Sequence, residues 1–211
     1  MRHLVWDWNG TLLDDLDLVV TATNASLASM GGPSITLDEH RRDFCRPLTT
    51  YYSNVLGRPI TTDEFANLDR AFHDAYRAGL PECRLAIDAL TAIGSWSGSQ
   101  SLLSMFFHHE LVPVVARHGL VEHLRRVDGL RDPVGGGSKA PHLRAHLEAL
   151  SVAGEECVLI GDSVDDAEAA VEVGARIVLY QGGFTHPRHL LATGHPVAMN
   201  LVEAVRLAAA D

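Results

Sequence analysis

From Ala86 to the end of the chain, short apolar runs of four or five residues alternate with helical patterns. That alternation constrains the fold more than any other feature, because strands separated by helices of about 10–15 residues pair in parallel with the helices as crossovers. The runs are Gln100–Ser104 (QSLLS), Cys157–Ile160 (CVLI) and Arg176–Tyr180 (RIVLY), with another strand expected within 123–128. Helices are expected over 108–118, 139–150, 164–173 and 200–209. An earlier strand, HLVWD at residues 3–7, ends in an acid. After it the pattern changes. Apolar residues of Leu16–Met30 recur at helical spacing until Gly31-Gly32-Pro33, and Thr36 and Glu39 are spaced as a capping box. Helical patterns resume at 46–56 and 63–79, so residues 16–83 read as almost wholly helical.

The expectation is an α/β protein with a Rossmann-like parallel sheet core and helices on both faces, built from residues 1–15 and 84–211. A small all-helical cap domain of residues 16–83 interrupts it after the first strand. In parallel sheets of this kind ligands sit at the carboxyl ends of the strands. Asp7, Ser104 and Asp162, each read as just past a strand, are therefore expected in one crevice, with the helical block over it.

Asp7 is followed by the turn Trp8-Asn9-Gly10-Thr11. A carboxylate at such a turn is suited to act as a nucleophile toward phosphorus or as a metal ligand, and equally to close a strand through an Asx-turn. Gly10 permits a close turn, and the Thr11 hydroxyl can buttress it. In Gly161-Asp162-Ser163-Val164-Asp165-Asp166, three acids follow a buried strand. Such carboxylates repel one another unless a cation lies among them, and oxygen-only ligation suits Mg2+. A helix N-terminus enriched in Asp accounts for the same pattern.

Charge bears on partners. The formal net charge of −10 argues against nucleic acid and anionic membrane as partners, while leaving room for a small phosphorylated ligand at a locally positive site. No run is long enough to span a membrane, and the three scattered cysteines suggest neither disulfides nor zinc, so a cytoplasmic location is expected. Of the 17 basic residues only Lys139 is a lysine, which marks it as a position that arginine does not fill.

Taken together, VWDWNGTLLD (5–14) resembles the first signature of the haloacid dehalogenase superfamily, and GDSVDDAEAA (161–170) resembles its fourth. Ser104 and Lys139 fall where the second and third motifs stand, and the tail VLYQGGFTHPRHLLATGHPV is similar to the family's last strand and loop. The resemblance implies a Mg2+-dependent hydrolase of a small phosphorylated metabolite, working through an aspartyl-phosphate on Asp7. It implies that Asp7, the Asn9 main-chain carbonyl, Asp162 and Asp166 serve the metal, with Asp165 as an alternative to Asp166. It also implies that Ser104 and Lys139 hold the phosphoryl group, alongside the loop residues Trp8, Gly10, Thr11 and Met105.

One residue departs from that pattern. The family carries a second acid two residues after the nucleophile, where this chain has Asn9. An amide neither protonates a leaving oxygen nor activates water, so a slow phosphatase is expected. Asp14, Asp15 or a histidine of the cap are candidate substitutes. A protein that binds a phosphorylated ligand without rapid turnover is the alternative function.

Other signals are discounted. Gly135-Gly136-Gly137-Ser138-Lys139 lacks the residue order of a P-loop. His142 and His146 are read as a solvated helix face, and His108-His109 as lying beside the crevice without a chemical role. Alternation puts Trp6 and Trp8 on opposite strand faces, at least one of them in the core. Arg46 is a candidate contact for the far end of a substrate, with a surface salt bridge as the alternative.

Overall fold

The computed structural model describes residues 2–132 and 137–210. In chain order its elements are β1 (His3–Trp6), β2 (Leu13–Asp14), α1 (Leu16–Ser29), α2 (Leu37–Asp43), α3 (Leu48–Leu56), α4 (Thr62–Gly79), β3 (Arg84–Leu85), α5 (Ala89–Ser95), β4 (Gln100–Phe107), α6 (His108–Arg117), β5 (Val127–Leu130), α7 (Ala140–Leu150), β6 (Cys157–Gly161), α8 (Val164–Val173), β7 (Arg176–Tyr180), α9 (Pro187–Ala192), β8 (Val197–Ala198) and α10 (Leu201–Ala209). Gly135 and Gly136 of the glycine run lie outside the described residues.

Two units are distinguished. One takes the described residues up to Asp14, those from Leu85 to residue 132 and those from Ser138 onward. It holds a six-stranded sheet in the order β5-β4-β1-β6-β7-β8, every pair parallel. This is the α/β architecture expected from the alternation of strands and helices. β1 lies between β4 and β6, so Leu4, Val5 and Trp6 have no exposed surface and read as a run rather than an alternating strand. Leu103 of β4, Leu143 and Leu147 of α7, Leu159 of β6 and Ile177 of β7 close one layer of the core around Val5. Sheet order reverses at β1, which opens a crevice at the carboxyl ends of β1, β4 and β6.

Two strand expectations need correction. Ser104 is inside β4 and not beyond it, because pairing with β5 shifts register after Leu103 and resumes at Phe107. The strand expected within 123–128 is Val127–Leu130; residues 121–123 form a 3-10 turn, and hydrogen bonding to β4 starts at Arg125.

The other unit, Asp15–Arg84 with Gly137, carries α1 to α4. Its core gathers Leu27, Tyr51, Tyr52 and Leu68. Helix starts follow local chemistry. Thr36 accepts from the Glu39 N–H at 3.2 Å while the Glu39 carboxylate accepts from the Thr36 N–H at 2.8 Å, and Thr61 and Glu64 repeat the arrangement at α4. Among the described residues no helix is long and apolar enough to cross a membrane.

Each unit buries a neutral histidine. Burial lowers the pKa of His3 to about 4, helped by His146 and Arg125, and burial alone lowers that of His40 to about 4. Above about pH 6.5 both are neutral, folded or unfolded, and pH has no effect through them. Between about 6.5 and 4 the unfolded chain takes up protons that the folded chain refuses, so stability falls as pH falls. Melting curves should drop across that window by on the order of 2–3 kcal/mol per histidine, and His40→Phe should remove its share. An unchanged pH profile in His40→Phe would contradict the assignment.

Candidate active site

Lys139 stands at the N-terminus of α7 and is 2% exposed. Its ammonium donates to Asp7 Oδ1 and Asp166 Oδ1, each at 2.5 Å. Asp7 follows β1, and Asp166 lies in the first turn of α8, held by a capping box. In that box Ser163 Oγ accepts from the Asp166 N–H at 3.2 Å, while Asp166 Oδ2 accepts from the Ser163 N–H at 3.0 Å and hydroxyl at 2.6 Å. The neighbouring Asp165 has a different task, accepting the Lys139 main-chain N–H. Thus Asp166 takes the ammonium and Asp165 the helix start.

Asp162 follows β6 and is also buried. The Thr11 hydroxyl reaches Asp162 Oδ1 at 3.2 Å and Asp7 Oδ2 at 3.4 Å. Ligand oxygens of Asp7, Asp162 and Asp166 all lie within 4.8 Å of one another. Burial, together with the charge of Asp166, raises the pKa of Asp7 to about 6 against the opposing pull of Lys139. Burial, then the charges of Asp7 and Asp166, put Asp162 well above the ordinary carboxylate range. Burial alone would lower Lys139, yet Asp166 and Asp7 hold it above the usual lysine range. Three ionised carboxylates exceed one ammonium by two charges, so the donor set fits a hard divalent cation.

Asn9 accepts at Oδ1 from the Ser104 hydroxyl at 3.1 Å, and Ser104 Oγ in turn accepts from the Phe106 N–H at 3.0 Å. The amide keeps a hydrogen bond that a carboxylate could also accept, but it holds no transferable proton. Gly10 has φ +70°, and a Cβ there would stand 2.7 Å from Asp162 Oδ2.

Known proteins resemble this chain in sequence and in fold. The HAD-hydrolase-like family model matches residues 135–204, which include Lys139, Asp162 and Asp166. A phosphoglycolate phosphatase of Cereibacter sphaeroides is 28% identical, over 96% of this chain and 98% of its own. A haloacid dehalogenase-like hydrolase from Streptococcus pneumoniae shares the fold with a TM-score of 0.83 at 19% identity, covering 98% of each chain. A predicted phosphatase from Clostridium acetobutylicum does so at 0.82 and 16%, covering 98% of this chain and 97% of its own. The chain is similar to hydrolases of the haloacid dehalogenase superfamily, by the family model over residues 135–204 and by the phosphoglycolate phosphatase over nearly its whole length.

The remaining candidates divide. The Trp6 and Trp8 side chains are both core; Trp8 packs on His118 with ring centroids 6.1 Å apart. Met105 is half-buried at the β4 irregularity. Arg46, in the helical unit, donates to the Gly137 carbonyl at 3.3 Å. Of the substitute acids, Asp14 is exposed, and Asp15 is buried and accepts from the Tyr76 hydroxyl at 2.6 Å. His108 turns to β5, where Nδ1 accepts from the Gly129 N–H at 3.2 Å. His146 corrects the solvated-face reading: it is 2% exposed and bonded to Ser101 and Asp128 at 2.7 Å each.

Sequence reasoning passed over Gly183 and Phe184. The Phe184 N–H donates to Asp162 Oδ2 at 2.5 Å, and a Cβ on Gly183 would overlap both that carboxylate and the Gly10 carbonyl. The signal available was the Gly182-Gly183 pair one residue beyond β7. Gly183→Ala should therefore displace Asp162 and weaken Mg2+ binding about 10–100-fold by calorimetric titration, with circular dichroism unchanged. Unchanged affinity would show that the loop does not set the Asp162 carboxylate.

Proposed function

We propose that this hydrolase is a phosphatase acting on a small phosphorylated metabolite through a covalent aspartyl-phosphate on Asp7. The observation that carries the reading is the buried meeting of Asp7 with Lys139 at 2.5 Å, beside two further acids. The phosphoglycolate phosphatases matched along nearly their whole length support a small phosphate ester as the substrate class. Residues Asp15–Arg84 are taken as the family's cap, the part that selects the ester.

A dianionic phosphate approaches a carboxylate only when positive charge screens the repulsion. Lys139 supplies one unit of it beside Asp7. Asp7, Asp162, Asp166 and the Asn9 carbonyl would hold a Mg2+ ion, which would supply further charge compensation for the phosphoryl oxygens. Ser104 rotates its hydroxyl from Asn9 to a phosphoryl oxygen, and the N–H groups of the loop after β1 take others. An Asp7 oxygen then bonds to phosphorus as the ester P–O bond breaks, and the leaving oxygen departs with the electron pair. In the second step water bonds to the same phosphorus, the Asp7–phosphorus bond breaks, and inorganic phosphate and a free carboxylate result.

Both steps move a proton, to the leaving oxygen first and from the water second. Asn9 serves neither transfer. General acid–base help is typically worth about 10^2–10^4-fold, so good leaving groups should be processed best and the aspartyl-phosphate should persist. Asn9 is also the one observation that favours the second reading, a protein that holds a phosphorylated ligand without turning it over.

The test is Mg2+-dependent turnover of p-nitrophenyl phosphate, whose leaving group needs little protonation. The protein should be active, Asn9→Asp faster, and Asp7→Asn inactive. With an alkyl phosphate the gain from Asn9→Asp should approach the full 10^2–10^4-fold range, roughly. Inactivity of both the protein and Asn9→Asp, with Mg2+ still bound, would leave the ligand-binding reading standing instead.

A further inference from the structure

Beneath the active site runs a buried polar chain that the reaction does not use. His146 Nδ1 lies 2.7 Å from Asp128 Oδ2, and His146 Nε2 lies 2.7 Å from Ser101 Oγ. Ser101 Oγ continues to His3 Nε2 at 2.7 Å, and His3 Nδ1 to Ser99 Oγ at 2.8 Å. Arg126 also donates to Asp128 Oδ2. The first three groups have the connectivity of a nucleophilic acid–histidine–serine triad. Ser101, however, has no exposed surface and shares its hydroxyl oxygen with a second histidine, so no substrate can reach it.

One assignment of protons satisfies every link. The Asp128 carboxylate only accepts, so His146 Nδ1 carries hydrogen; when the His146 ring is neutral its Nε2 accepts from the Ser101 hydroxyl. Ser101 then accepts from His3 Nε2–H, and His3 Nδ1 accepts from the Ser99 hydroxyl. This requires a neutral His3, in keeping with its lowered pKa. Four directional bonds thus join α7, which carries His146, to β5, β4 and β1.

Those elements are the ones that present the site. β1 leads to Asp7, β4 holds Ser104, and α7 begins after Lys139. His146 lies two helical turns from Lys139, about 10 Å along the axis. Its apolar neighbours Ala140, Leu143 and Leu147 pack α7 into the core, but such contacts are non-directional and tolerate sliding. A lysine that spans two carboxylates at 2.5 Å does not tolerate it. We propose that His146, through Asp128 and Ser101, is a positioning residue that fixes the height and rotation of α7 so that Lys139 bridges Asp7 and Asp166.

The kinetic arm of the test rests on the phosphatase reading; the labelling arm does not. Lys139 is the only lysine in the chain, so an amine-acylating reagent such as N-hydroxysuccinimidyl acetate reports on it alone among side chains, read by peptide mass spectrometry. His146→Leu removes both bonds and keeps an apolar filling. His146→Gln keeps a polar group toward Ser101. Leu190→Ala, in α9 and equally buried, is the control for stability lost from the same apolar cluster with every bond of the polar chain kept.

Lys139 should be labelled slowly in the unaltered protein and in Leu190→Ala. It should be labelled about 10-fold faster or more in His146→Leu, with kcat on p-nitrophenyl phosphate falling by a similar factor and KM little changed. His146→Gln should recover part of both. If His146→Leu fails to fold, Ser101→Ala cuts the same chain from the strand side and is read in the same way. A folded His146→Leu that matches Leu190→Ala in labelling and in kcat overturns the proposal. Should the unaltered protein turn over no aryl phosphate, the phosphatase reading fails and labelling alone decides this one.

Discussion

The ammonium of Lys139 between Asp7 and Asp166 is the interaction on which the rest of the site depends. An isolated charge in the core of this unit would cost several kcal/mol, and so would each of the carboxylates around it. Together they are tolerable because each is another's counterion, and because main-chain N–H groups and the Thr11 and Ser163 hydroxyls take up the remaining oxygens. The arrangement still carries an excess of acid, visible in the raised pKa values of Asp7 and Asp162. Buried excess negative charge is what a divalent cation would relieve, and only then could a dianionic phosphate approach. Stability and chemistry meet there, since the mutual repulsion of the three acids is what they offer to a cation.

Much of this was legible in the sequence because the fold delivers chemistry at fixed points. Strands followed by acids put Asp7 and Asp162 at carboxyl ends, and parallel pairing carries those ends into one crevice. The single lysine among seventeen basic residues stood out by composition and proves to be the buried counterion. What stayed hidden involves contacts with no local period. His146 sits four residues from His142 on one helix, and nothing in that spacing tells that one of them meets Ser101 and Asp128 under the sheet. The Phe184 N–H reaches Asp162 across 22 positions of chain, from a loop whose only mark is a glycine pair. Ser104 was set beyond its strand because a register irregularity cannot be seen in the pattern of side chains.

Asn9 gives this chain its particular character. It accepts the Ser104 hydroxyl, so the cradle survives the replacement of acid by amide, while the means of moving a proton does not. Neither Asp14, exposed, nor Asp15, engaged by Tyr76, offers a buried acid that is free to take its place. On the phosphatase reading proposed above, both proton transfers lack this partner, which favours an activated phosphate over an ordinary alkyl ester.

The most direct test is to look for the intermediate itself. After brief mixing with Mg2+ and an aryl phosphate, followed by an acid quench, peptide mass spectrometry should find one phosphoryl group on Asp7, removable by hydroxylamine. It should decay faster in Asn9→Asp than in the unaltered protein. Turnover with no phosphoryl group on Asp7 at any mixing time, or with the group on another residue, would contradict the role assigned to this carboxylate.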